Sequence, residues 1–427
     1  MYIDRITIKN IRSIKSLEWK IDQGQQAGWH VILGNNGSGK STLLRSIALA
    51  LTGPNDALAL RQNWHGWMRE GRGHSSSSIE LDLSHNSHLD RFSGETSDQL
   101  NNLLRVRIFL LERNQNIRLD TFMRETEIHP ERYIWGGNSG WFSAAFGPFR
   151  RFTGGNKDYD QLFYSHPRLA AHLSVFGEDV ALTECLQWLQ ALKFKQLEND
   201  PEGDLLDSIV EFVNQAGFLP HQTHLDRISS NGVEFIDGNG CKLPVEDLSD
   251  GYRSILSLTF ELIRQLARVY GSDSIFDPDD PTKIVPPGVV LIDEIDAHLH
   301  PTWQRRIGVW FREHFPNLQF IVTTHSPLVC QAATVGTVWR LPKPGSGDTG
   351  GMVTGQELDR LLYGNVLDAY GTEAFGSEVT RSEEAKKRLR RLAELNRKEL
   401  HGNLTSNERQ EQETLRATMP TSAHQVG

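Results

Sequence analysis

A chain of 427 residues with 38% hydrophobic and 23% charged side chains has the composition of a globular protein of one large or two ordinary domains, and is not that of a disordered chain. Its formal net charge of −9 gives no whole-molecule attraction for nucleic acid. No apolar run approaches the ~18–20 residues that span a bilayer, no signal-peptide pattern opens the chain, and Cys185, Cys241 and Cys330 form no CxxC pair, which argues against a disulfide framework or a structural zinc site. A cytoplasmic protein with no membrane partner is expected.

Residues 1–33 alternate as strands do: Ile3, Ile6, Ile8, Ile11 and Ile14, then Leu17 to Ile21, then the apolar run Trp29 to Leu33. After Lys40, the spacing of Leu43, Leu44, Ile47, Ala48 and Leu51 predicts a helix that Gly53-Pro54 ends. Residues 54–78 are mostly polar, with a serine run, and predict a mobile surface loop. Ile79–Leu83 and Val106–Leu111 read as strands, and 134–157 is rich in glycine and aromatics. Residues 167–216 read as helices, and Asp237-Gly238-Asn239-Gly240 as a hairpin turn. Val289–Ile292 and Phe320–Val322 are buried strands on either side of a helix at about 302–315. From about 355 the chain is helical and polar, with an apolar stripe of Ala385, Leu389, Leu392 and Leu400. Alternating buried strands and helices predict an α/β fold with a largely parallel sheet.

Gly34-Asn35-Asn36-Gly37-Ser38-Gly39-Lys40-Ser41 matches GxxxxGK[ST] where a strand turns into a helix. Backbone N–H groups of Asn35 to Thr42 would cradle phosphates, Lys40 would reach the β and γ phosphates, and Ser41 would bind Mg²⁺. ATP and Mg²⁺ are the cofactors expected. Val289–Glu294 adds an apolar strand ending in two carboxylates: Asp293 for the metal, Glu294 to polarise the attacking water. Leu248-Ser249-Asp250-Gly251-Tyr252-Arg253 opens a helix whose Ser249 and Gly251 would bind a phosphate or would simply cap the helix. Thr323-Thr324-His325-Ser326-Pro327 ends the next strand, and His325 there would sense the γ-phosphate or be an ordinary turn histidine.

This order of motifs resembles the ATP-binding-cassette ATPases, in the branch of the SMC and RecF proteins. Ile292 to Pro301 is similar to that branch's Walker B and D-loop, Thr324-His325-Ser326-Pro327 to its H-loop, and Ile8 to Ile14 to its first strand, where Arg12 would lie near the nucleotide. The resemblance implies an ATPase head with a mixed sheet flanked by helices, at residues 1–345, with a helical insert at about 155–225. It also implies a head-to-head pair in which Ser249 and Gly251 complete the other copy's site. Asp250 departs from the glycine of many transporters, no Q-loop glutamine is evident, and the long heptad arms of true SMC proteins are missing. Phe146-Gly147-Pro148-Phe149-Arg150-Arg151 is either in the Q-loop neighbourhood or a structural loop. That segment, Phe176–Leu192 and the tail from Phe375-Gly376-Ser377 to Leu400 resemble the PtuA ATPases of Septu anti-phage systems, also found in some retron systems. Their partner is an HNH nuclease. On this resemblance, ATP occupancy would govern assembly and a partner nuclease, with DNA or a phage-derived trigger as a further ligand. Residues 346–427 would then be a helical region for assembly or docking. The alternative is a DNA-repair ATPase of the RecF kind.

Overall fold

The computed structural model of the chain describes residues 1–60, 62–69, 77–85, 90, 103–113, 116–121, 129–136, 140–152, 166–177, 182–365, 369 and 383–418. They fall into two compact units, Met1–Tyr363 and Gly364–Gly427.

The first unit carries three sheets. An antiparallel sheet runs β2 (Ile14–Lys20), β1 (Tyr2–Ile11), β4 (Ser77–Ser84), β5 (Leu103–Arg113) and β6 (Asn116–Asp120). Its strands alternate, so Ile6, Ile8, Leu81 and Val106 point into the core while Glu80 and the buried Asp82 pair with arginines on the opposite face. The inward face packs on Leu43, Leu44, Ile47 and Leu51 of helix Lys40–Thr52 in one hydrophobic core.

The second sheet has the order β14 (Gly351–Met352), β13 (Gly336–Arg340), β3 (Gly28–Leu33), β12 (Leu318–Thr324), β11 (Gly288–Ile292) and β7 (Ser143–Phe146). Every pair in it is parallel except β13 with β14. β3, β11 and β12 are buried along their whole length, as strands covered on both faces must be. Helix Pro301–His314 places Trp310 and Phe311 in an aromatic layer with Phe212, Phe218, Phe315 and Phe320. Helices Glu184–Leu197 and Leu205–Val213 lead into a small antiparallel sheet of β8 (His224–Ser229), β9 (Gly232–Ile236) and β10 (Lys242–Pro244), with the predicted turn between β9 and β10.

One expectation needs correction. The polar stretch 54–78 is not simply a surface loop. Leu60, Trp64 and Trp67 are buried, and Ser77 and Ser78 belong to β4, because the two tryptophans close the rim of the core. Residues 61 and 70–76 of that stretch lie outside the described residues. The glycine-aromatic segment supplies a strand, β7, which hydrogen bonds alongside β11 and extends the parallel sheet.

The second unit contains helices Glu383–Leu400 and Ser406–Thr418. They pair as a hairpin through Arg391 with Glu411 and Arg416 with Glu399, over the buried Leu392 and Leu395. Phe375-Gly376-Ser377 lies outside the described residues. Among the described residues, no helix is long and apolar enough to cross a membrane.

Candidate active site

Three strand ends of the parallel sheet converge. β3 delivers the glycine-rich loop, β11 delivers Asp293-Glu294, and β12 delivers Thr323 to Ser326. Ligand sites in such sheets form beyond the C-terminal ends of the strands.

The loop has the form needed to face phosphate. Gly37 and Gly39 hold φ of 78° and 103°, which suits glycine alone. A Cβ at Gly39 would stand 2.5 Å from Ser13 Oγ, so the loop rests directly on the turn after β1. Asn35, Asn36 and Gly37 are exposed, Ser41 is half-buried and Thr42 is buried in the first helical turn. Lys40 is buried, and its ammonium donates to the carbonyls of Gly34 at 2.8 Å and Asn35 at 3.3 Å. Burial lowers its pKa, while the negative charges of Glu294, Asp293 and Asp296 work in the opposite direction. The three carboxylates are thus close enough to act on the loop lysine. Ser38 Oγ is buried with no hydrogen-bond partner among the described residues, a polar atom that a bound phosphate oxygen would satisfy. Loop, lysine and carboxylates together fit a nucleotide with a divalent cation.

Asp293 is 1% exposed and accepts from Thr323 Oγ1 at 2.6 Å. The same hydroxyl oxygen accepts from the N–H of Glu294 at 2.7 Å. Glu294 itself has φ of 47°, a left-handed conformation that costs a residue with a Cβ ~1–3 kcal/mol. Asp296 accepts from Thr324 Oγ1 at 2.6 Å and from the His325 N–H at 3.4 Å. His325 is half-buried; burial first, and the positive charge of Lys40 second, hold its imidazolium pKa below the usual 6.5.

The structure brings together the loop residues 35–42, Asp293, Glu294 and His325 at the ends of β3, β11 and β12. Arg12 adjoins them through its neighbour Ser13. Its guanidinium stacks 4.9 Å from the centre of the Trp67 ring, and its charge is disfavoured by burial and by Arg45 of the loop helix. Ser249 and Gly251 stand apart. Ser249 is exposed at the start of helix Asp250–Tyr270, and a Cβ at Gly251 would lie 2.9 Å from the His298 carbonyl oxygen. Among the described residues, no hydrogen bond or ion pair ties either one to the loop.

Three participants escaped the sequence. Thr323 and Asp296 lie inside quoted motifs but carry no motif-level signal of their own. Arg150 is 5% exposed and donates to Gly147, Asp293 and Glu294 carbonyls and to Ser254 Oγ. This places the glycine-aromatic segment against the Asp293-Glu294 turn. A separate cavity of about 450 Å³, lined by Trp135, Trp141, Arg168 and Arg268 among others, includes none of the motif residues.

A family model described as "AAA domain, putative AbiEii toxin, Type IV TA system" matches residues 30–331, from β3 through the strand and turn that carry His325. The chain belongs to that family. Within it, the chain is similar to the Septu protein PtuA of Bacillus mycoides (strain KBAB4), 25% identical over 350 residues covering 79% of this chain and 40% of that protein. It is also similar to the Retron Ec83 probable ATPase of Escherichia coli, 26% identical over 403 residues covering 79% of this chain and 70% of that one. The chain thus spans less than half the length of the Bacillus mycoides PtuA. Among solved structures, an Smc head bound to the C-winged helix domain of ScpA aligns with a TM-score of 0.50, covering 83% of this chain and 98% of that one at 16% identity. The fold of this AAA-domain family member is that of an Smc head, and the similarity to PtuA and the retron probable ATPase holds over most of the chain.

Proposed function

We propose that the chain binds ATP with Mg²⁺ and hydrolyses it, with Glu294 as the general base. The observation that carries this reading is the meeting of Lys40, Asp293, Glu294 and His325 at three adjacent strand ends. Asn35 to Thr42, with Lys40, would bind the phosphates, and Arg12 would flank them. Ser41 and Asp293 would hold Mg²⁺, which supplies charge neutralisation between the β and γ phosphates. Thr323 fixes the Asp293 carboxylate by donating to it. Glu294 would draw a proton from water, and the His325 ring would orient that water or the γ-phosphate. Ser249, exposed at a helix N-terminus, and the half-buried Gly251 would complete the phosphate site of a second copy.

The biological reading follows the relatives. We place the chain as the ATPase of an anti-phage defence system in which ATP occupancy controls assembly and a partner HNH nuclease. The ATPase head would span residues 1–345, and the helices from 346 to 427 would serve assembly or docking.

The test is direct. Glu294→Gln should lower ATP turnover ~100-fold or more while ATP still binds. Turnover at the wild-type rate would remove Glu294 from the role of base. Lys40→Ala should abolish ATP binding in a nucleotide titration, and unchanged affinity would overturn the phosphate loop. Co-expression with an HNH nuclease encoded beside the gene should give a complex whose nuclease activity depends on ATP.

A further inference from the structure

Arg150 follows β7 by four residues and is buried without a direct carboxylate partner among the hydrogen bonds it makes. Its guanidinium makes four: Nε to Ser254 Oγ at 3.0 Å, Nη1 to the carbonyls of Gly147 at 3.0 Å and Asp293 at 2.8 Å, and Nη2 to the carbonyl of Glu294 at 3.0 Å. These acceptors lie on three different elements. Gly147 directly follows β7, Asp293-Glu294 directly follow β11, and Ser254 sits one turn into helix Asp250–Tyr270, three residues beyond Gly251.

Burial disfavours the charge and pulls the pKa down to about 10, with Asp293, Asp296 and Glu294 opposing the shift. Retaining a buried cation is costly, and an apolar side chain would fill the same space with less penalty. What an apolar side chain could not do is hold the two carbonyls of a strained turn. Glu294 keeps φ of 47°, and Thr323 grips its N–H from one side while Arg150 grips its carbonyl and that of Asp293 from the other. Each such charge-assisted bond contributes enough to offset the strain of the turn.

We propose that Arg150 is a positioning residue that aims the Glu294 carboxylate and links that aim to the helix carrying Ser249 and Gly251. It acts through the turn backbone and does not itself touch nucleotide. The inference rests on Glu294 being the base. The consequence is mechanical: displacement of Ser254 by contact at the helix N-terminus reaches the Asp293-Glu294 turn through one planar, rigid side chain.

The experiment uses the full chain and compares wild type, Arg150→Ala, Arg150→Lys and Ser254→Ala. ATP turnover, ATP affinity by titration and thermal melting are measured for each. Arg150→Ala should lower kcat ~10- to 100-fold with ATP affinity within ~3-fold, since positioning acts on the reaction and leaves binding intact. Guanidinium at tens of millimolar, far below denaturing levels, should restore part of the kcat of Arg150→Ala and none of that of Arg150→Lys. Arg150→Lys reaches fewer acceptors and should fall in between; Ser254→Ala should lose a few-fold in kcat. A melting temperature that drops while kcat per folded molecule stays at the wild-type value overturns the proposal, and so does an equal loss of ATP affinity and kcat with no guanidinium response. Should Arg150→Ala not fold, a wild-type kcat in Arg150→Lys overturns it. A wild-type chain with no ATP turnover overturns the ATPase reading instead.

Discussion

The hydroxyl of Thr323 donates to Asp293 Oδ1 and accepts from the Glu294 N–H, so one small side chain sets both carboxylate-bearing residues. Thr323→Val keeps the shape and removes both bonds, leaving a buried N–H and a buried carboxylate short of a partner. It should destabilise the fold by ~1–3 kcal/mol in denaturant unfolding and lower ATP turnover ~10-fold, while Thr323→Ser should do neither. A second residue-scale prediction concerns acid. His30 lies fully buried in β3, its Nε2 facing the Gln26 carbonyl oxygen at 3.0 Å and its Nδ1 facing Thr337 Oγ1 at 2.9 Å. Those partners suit a neutral ring that donates from Nε2 and accepts at Nδ1. Burial pulls its pKa from 6.5 to about 4. Above pH 6.5 the ring is neutral folded or unfolded, and nothing is lost. As pH falls from 6.5 to 4 the unfolded chain takes up the proton first, so stability falls, by about 3 kcal/mol below pH 4. His30→Gln should flatten the decline in unfolding free energy between those pH values; an unchanged slope would show that other groups carry it. The sequence made Lys40, Asp293, Glu294 and His325 legible because each sits at a fixed offset in a motif with its own chemistry. Arg150 was not legible, because two adjacent arginines look like a solvated surface. Its acceptors Ser254, Asp293 and Glu294 are more than a hundred residues away in the chain.

Elements were legible where a single periodicity ran long enough. Helix Lys40–Thr52 and strands β11 and β12 announce themselves by apolar spacing alone. β7 does not: Ser143–Phe146 is four residues long and small at its centre, and it becomes a strand by pairing with β11. Tertiary context outweighs local preference there. The helix Pro301–His314 shows what holds the far face of the sheet. Trp310 stacks 4.3 Å from Phe218 and 4.4 Å from His314 between ring centres, and meets Phe212 and Phe311 edge to face. Trp310→Ala should cost ~3–5 kcal/mol in denaturant unfolding, and Trp310→Phe roughly half of that. Equal losses for the two would mean that the indole edge, and not the filled volume, is what counts.

At the scale of the whole molecule, the helix start at Ser249–Gly251 and the phosphate loop make complementation testable. Lys40→Ala and Ser249→Arg should each abolish turnover alone. Mixed in equal amounts, half the pairs in a two-site sandwich hold one copy of each, with one of two sites intact, so about a quarter of wild-type activity should return. No recovery on mixing would sink the shared site and leave the single-copy chemistry standing. The parallel sheet carries one more consequence. β3, which delivers the phosphate loop, lies between β12 and β13 and hydrogen bonds to both. Those two strands leave the ribosome about three hundred residues after β3 does, and long-range parallel pairing is slow to form. For most of the time the chain is being made, the strand that will carry the nucleotide site has neither neighbour, and its six buried positions, four of them large and apolar, stay open to chaperones or to other nascent chains. Slower synthesis then lengthens the time this strand spends without its sheet partners.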